Sequence, residues 1–180
     1  MKKIIIFVIS LILFTGCGNK LLNTPTKKVE MFFEKYQSLD DDVINQLKDV
    51  TDNEIAFTDV QRQKYIDIMK NHYQSLKYKI KDEKIDGDMA IVTVEIEVMD
   101  YSKILGDAEI YLSEHREEFY NEKGEYDITL YNDYRLDKLK EADEKVKYTI
   151  DMTLTKIDGE WVLDDASNNV RDKIQGIYKH

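Results

Sequence analysis

The 180-residue chain contains one cysteine, Cys17, one proline, Pro25, and one tryptophan, Trp161. A single cysteine rules out a disulfide within the chain and a thiolate cluster for a metal. One proline leaves no stretch able to act as a stiff polyproline spacer. Seven glycines leave little backbone for a phosphate-cradling loop, and no Gly-x-Ser-x-Gly elbow occurs. Histidine is equally scarce. His72 falls on a helical stripe and is expected at the rim of a core; His115 lacks the His-Glu-x-x-His spacing; His180 is the last residue. Neither a metal nor a cofactor is expected. Positive charge is in deficit too, with 26 Lys and Arg against 36 Asp and Glu, a formal net charge of −10. Phosphate backbones and anionic headgroups would be repelled, which argues against nucleic acid and against electrostatic docking on a membrane.

No apolar run is long enough to span a bilayer. Residues 4–14 are apolar apart from Ser10, but a spanning helix needs roughly 20 such residues. Lys2 and Lys3 precede this run and the small pair Thr15-Gly16 follows it, the layout of a cleaved signal peptide over residues 1–16. The segment Leu13-Phe14-Thr15-Gly16-Cys17 resembles the lipobox of bacterial lipoproteins. That resemblance implies a diacylglyceryl group on the Cys17 thiol, with Cys17 as the new N-terminus. The protein would then be lipid-anchored to the outer leaflet of the cytoplasmic membrane, because two acyl chains hold stably where one is marginal. Cleavage takes away Lys2 and Lys3 and leaves 24 basic against 36 acidic residues, a charge of −12. Residues 17–23 form a short tether, and the six residues after Cys17 reach about 20 Å at most. The scarcity of Pro and Cys, with abundant Lys, Ile, Asp and Tyr, suggests an AT-rich Gram-positive source.

About 160 residues remain, enough for one domain with a substantial core, here residues 24–180. Thr24 before Pro25 predicts a helix N-terminus, and Val29, Phe32, Phe33, Tyr36 and Leu39 recur at helical spacing. The triplet Asp40-Asp41-Asp42 is expected to cap a short second helix carrying Val43, Ile44 and Leu47. Thr58 with Gln61 makes a capping box for a third helix with Tyr65, Ile68, Met69, His72 and Tyr73 on one stripe. The period then changes from 3.6 to 2. Leu76, Tyr78 and Ile80 alternate with lysines, Ala90 to Val98 alternate with Thr93, Glu95 and Glu97, and Val146 to Leu154 alternate likewise. For apolar faces to coincide in the first hairpin, opposed positions must sum to an even number. That predicts a three-residue loop, Ile85-Asp86-Gly87. A second Ile-Asp-Gly at residues 157–159 predicts a two-residue loop, Asp158-Gly159, if Trp161 and Leu163 face inward. Ser167 is expected to cap a last helix carrying Val170, Ile174, Ile177 and Tyr178. Residues 101–143 read as two further helices broken around Gly124, with six tyrosines among them. Ordinary packing or a recognition surface would both use tyrosine's broad ring and polar tip.

The fold expected is therefore α+β: an antiparallel sheet of two hairpins covered on one face by helices, with a two-helix insertion and a C-terminal helix. With the lipobox, the runs Thr24-Pro25-Thr26-Lys27-Lys28-Val29-Glu30, Lys35-Tyr36-Gln37-Ser38-Leu39-Asp40, Val92-Thr93-Val94-Glu95-Ile96-Glu97-Val98, Tyr148-Thr149-Ile150-Asp151 and Asp158-Gly159-Glu160-Trp161-Val162-Leu163 resemble Firmicute lipoproteins related to the nuclear transport factor 2-like (cystatin-like) fold. The resemblance implies a helix-covered sheet that often encloses a cavity, for which Tyr78, Tyr148 and Trp161 are the candidate lining residues. The inner strand positions carry no carboxylate and no imidazole. An enzyme of this fold, isomerase- or hydrolase-like, would need Asp164 or Asp165 as its acid, with Tyr78 or Tyr148 donating a hydrogen bond. The reading favoured over it is a membrane-anchored binding or interaction module, its partner a small apolar ligand or an envelope protein.

Overall fold

The computed structural model describes residues 22–52 and 56–179; Cys17 and the signal segment lie outside them. The described elements are α1 (Pro25–Ser38), α2 (Asp41–Asp52), α3 (Asp59–Ser75), β1 (Lys77–Asp86), β2 (Met89–Met99), α4 (Tyr101–Glu114), α5 (Ile128–Lys140), β3 (Lys145–Ile157), β4 (Glu160–Leu163) and α6 (Asn168–Ile174). A short 3₁₀ turn, Arg116–Phe119, follows α4. The strands form one antiparallel sheet in the order β1-β2-β3-β4. This is the expected α+β architecture.

Helix boundaries follow capping chemistry. The Thr24 side chain accepts from Lys27 N–H and Pro25 stands at N1, where its missing donor costs nothing. Leu39 closes α1 in the left-handed conformation, and Asp40 then accepts the Asp42 N–H at 3.1 Å, so the aspartate triplet caps α2. At α3 the Thr58 and Gln61 side chains satisfy each other's backbone N–H groups reciprocally, as the capping box predicts.

The inner face of the sheet is the main core. Val92, Val94, Ile96 and Val98 of β2 and Ile150, Met152 and Leu154 of β3 pack beneath Val29 and Phe33 of α1 and Ile174 of α6. Fully burying a side chain such as Phe33 contributes about 2–3 kcal/mol. The outer face is a charge ladder. Glu97 sits between Lys77 (3.6 Å) and Lys147 (3.5 Å), Lys81 meets Glu95, and Thr93 donates to Asp151 at 2.7 Å. Partial burial works to raise the Glu97 pKa, but the lysines outweigh it and hold the carboxylate below its ordinary value.

The first hairpin departs from the expected loop. Asp86 pairs with Met89, so the turn is the two residues Gly87-Asp88, not a three-residue loop. Parity is restored elsewhere. The register steps from Ile80↔Val94 to Asp82↔Thr93, leaving Lys81 as the extra residue of a bulge. The second hairpin forms as expected, with Ile157 opposite Glu160 and both Asp158 (φ 52) and Gly159 (φ 85) left-handed. The same tripeptide thus sits one position out of step in the two turns.

A second core gathers beyond the far end of the sheet, where Val43, Leu47, Ile68, Met69, Tyr101 and Leu136 join α2, α3, α4 and α5. His72 belongs there, and it is not a rim residue: it is 1% exposed. The tyrosine-rich insertion forms a third cluster in which Tyr111 stacks on Tyr134 at 4.8 Å and Phe119 meets Tyr131 edge-on. The α4–α5 tyrosines therefore serve packing first. The last helix ends at Ile174, and Ile177 and Tyr178 follow it as irregular chain.

Candidate functional site

Adjacent aromatics on one helix cannot face the same way, and the Phe32-Phe33 pair makes α1 two-sided. Phe33 turns to the sheet and stacks on Tyr78 at 4.9 Å. Phe32 and Tyr36, one turn apart, lie at the edge of that face and touch at 5.1 Å, and Phe32 also meets Phe33 edge-on at 5.3 Å. Tyr36 meets Tyr73 of α3 edge-on at 4.9 Å. These rings floor a cleft of about 600 Å³ whose other walls are Val43 and Leu47 of α2, Leu163 at the end of β4, and Ile174 of α6.

The charged residues of the cleft are mostly acidic, Asp49, Asp164 and Asp165 lining it together with Arg171. Asp164 is placed by the sheet edge. Its backbone N–H donates to the Thr153 carbonyl and its carboxylate accepts from the Thr155 hydroxyl, both at 3.0 Å. Burial pushes the Tyr36 hydroxyl up, opposed by the Arg171 charge, and burial pushes Tyr73 up further. Both phenols stay protonated and can offer a hydrogen bond to an occupant, while neither is tuned to act as a base near neutrality.

Asp164 and Asp165, the candidate acids named from sequence, line this cleft, but the three candidate pocket residues do not. Tyr78 lies against Phe33, Trp161 is buried at the β4 edge with Lys156 over its ring, and Tyr148 is buried beside Tyr178, whose carbonyl accepts from its hydroxyl at 3.4 Å. All three belong to the sheet core. Nor do they meet the acids. Tyr78, on β1, is three strand spacings or about 14 Å from β4, and Tyr148 is six residues or about 20 Å along β3 from the Leu154↔Leu163 pair. The aromatic doublet Phe32-Phe33 was the available signal for a second functional face on α1. Arg171 carried no signal of its own.

A smaller groove of about 340 Å³ lies between α4 and α5, over Ile104, Ala108 and Tyr134. Its lysines are already paired, Lys103 with Glu144 at 2.6 Å and Lys138 with Glu141 at 3.3 Å, and Asp100, Asp107 and Asp143 also line it. Among the described residues no helix is long and apolar enough to cross a membrane, and no group of His, Cys, Asp and Glu is placed to hold a metal ion.

No family model and no curated protein matches this chain. Among solved structures it is similar to that of a candidate lipoprotein of Bacillus subtilis, YcdA, with 14% identity and a TM-score of 0.46, over 77% of this chain and 46% of that one. The chain therefore spans less than half the length of that protein.

Proposed function

We propose that this protein is a lipid-anchored extracytoplasmic binding module, with Cys17 acylated, residues 1–16 removed and the domain held at the outer leaflet of the cytoplasmic membrane. The observation that carries the binding role is the cleft between α1, α2 and α6, open, aromatic-floored and rimmed by carboxylates. Its size suits a small molecule. Asp164 and Asp165 outnumber Arg171 on the β4–α6 side of the cleft, which favours an apolar or amphiphilic ligand bearing a positive group. The crossing of α1 over the inner face of an antiparallel sheet supports kinship with the nuclear transport factor 2-like fold, its cavity displaced here from the sheet face to the side of α1.

The anchor and the cleft are tested separately. Intact mass of the protein extracted from membranes is expected to match a chain starting at Cys17 plus a diacylglyceryl group, and a free thiol there ends the anchor reading. For the cleft, the neutral dye Nile red is expected to bind with saturable fluorescence enhancement. Ala166→Trp, which fills the cleft at the β4–α6 connection, should weaken it at least tenfold. Equal binding by the variant would place the apolar site elsewhere.

A further inference from the structure

The two ends of the domain differ in what they expose, and the N-terminal chain leaves from a defined one. Asn23 is fastened to the β3–β4 hairpin: its Nδ2 donates to the Gly159 carbonyl and its Oδ1 accepts from Trp161 N–H, both at 2.9 Å. Thr26 is fastened to the β1–β2 hairpin through its N–H and hydroxyl, which both donate to the Glu83 carboxylate. The two hairpin ends are themselves joined, Lys156 N–H donating to the Asp88 carbonyl at 2.8 Å. A lipid on Cys17 would therefore lie within about 20 Å of Asn23, at the end of the domain that carries both hairpin turns. The α4–α5 pair sits at the other end of β3, whose 13 residues span about 43 Å.

That same turn end carries an unpartnered apolar patch on the outer sheet face. Met89 and Val162 flank Thr155 on either side in register, and Ile91 and Ile157 extend the patch along β2 and β3. Met89 is 64% exposed, Ile157 54%, Val162 44% and Ile91 41%. Each lies within four residues of a turn, about 13 Å along its strand. Further from the turns the outer face becomes the Lys–Glu ladder, so the apolar area is confined to the end from which the tether departs.

We infer that the hairpin-turn end is a membrane-docking surface, with Met89, Ile91, Ile157 and Val162 entering the headgroup boundary of the bilayer that holds Cys17. This rests on the anchor proposed above. The occupant follows from chain length: the tether brings this end, and not the helical end, to the lipid, and an amphipathic surface so placed gains by burying apolar side chains there. Asp86, Asp88, Asp158 and Glu160 lie at or beside the turns. Docking is therefore driven by apolar contact without headgroup attraction, and it holds on zwitterionic bilayers at least as well as on anionic ones. Docking fixes the orientation of the domain, with the α4–α5 tyrosine cluster outermost.

The test uses the full chain as extracted from membranes, reconstituted in phosphatidylcholine vesicles with and without phosphatidylglycerol. Ile157→Trp is compared with Ile110→Trp, an exposed position on α4, both in a Trp161→Phe background so that the introduced ring is the sole tryptophan. Brominated phosphatidylcholine is expected to quench the tryptophan at position 157 at least twofold more than the one at 110. Equal quenching overturns docking, as does shielding at position 157 accompanied by cross-links between copies, which would give the patch to a second copy of the chain. The intact mass of the same sample reports on the anchor independently. Equal quenching with acylated Cys17 defeats docking alone, selective quenching with unmodified Cys17 defeats the anchor alone, and neither signal defeats both.

Discussion

At the scale of single residues, the most consequential side chain outside the cleft is His72. Its Nε2–H donates to the Ile174 carbonyl at 2.8 Å, tying α3 to the end of α6, and its ring stacks on Tyr101 at 4.8 Å. Gly176 makes this packing possible. It is left-handed at φ +71, and a Cβ there would collide with the Met99 carbonyl oxygen and press on the imidazole. Burial lowers the His72 pKa from 6.5 to about 4, with Lys145 adding to the effect and the Ile174 hydrogen bond opposing it. The unfolded chain therefore takes up this proton first as pH falls. The stability His72 contributes as a neutral ring is complete above pH 6.5 and is lost by about pH 4, a change of about 3 kcal/mol. Denaturant titrations of the wild type and His72→Leu should show the gap between them shrinking by about that amount from pH 7.5 to 4. A constant gap would mean that the ring protonates within the fold without penalty.

Among the elements, the β1–β2 hairpin shows how one residue sets which face a strand presents. With a two-residue turn, an unbroken register would put Tyr78 and Ile80 on the outer face and their lysine neighbours inside. The Lys81 bulge reverses that. Deleting Lys81 is expected to cost about 2–4 kcal/mol in chemical denaturation, since Tyr78 and Ile80 must leave the core or the turn must be rebuilt. Lys81→Ala keeps the count and loses only an exposed pair with Glu95, so it should change stability by under about 0.5 kcal/mol. Similar losses for the two would show that the bulge does not hold the register. The same hairpin marks where sequence stops being informative. Alternation fixes the face of each strand, so the coinciding inner faces were legible, but it does not say where a surplus residue is absorbed. Capping at Thr24, Thr58 and Ser167 was legible because the chemistry is local. The cleft was not, because Leu47, Tyr73 and Asp164 come from distant stretches whose meeting depends on how α2 and α6 lie against α1. Tyr78, Tyr148 and Trp161 were correctly placed on the inner sheet face, and they fill it.

At the scale of the whole molecule, charge works against the compact state. With residues 1–16 removed the domain carries 24 basic and 36 acidic side chains. Its ion pairs are mostly exposed, such as Lys35–Asp42 at 2.8 Å, Lys64–Asp137 at 2.7 Å and Lys103–Glu144, and pairs of this kind contribute about 0–1 kcal/mol each. The two effects respond to salt in opposite directions. Screening weakens each pair, but it also relieves repulsion among the unbalanced acids, which acts over the whole surface when the screening length is about 30 Å at 0.01 M salt. Long-range repulsion should dominate, since the pairs are individually small and the excess of twelve negative charges is shared by one compact domain. The thermal midpoint at pH 7.5 is therefore expected to rise by about 2–5 °C between 10 mM and 500 mM sodium chloride. A fall would show instead that the Lys77–Glu97–Lys147 ladder and its neighbours stabilise the sheet cooperatively, and that the acidic surplus is spread too thinly to strain the fold.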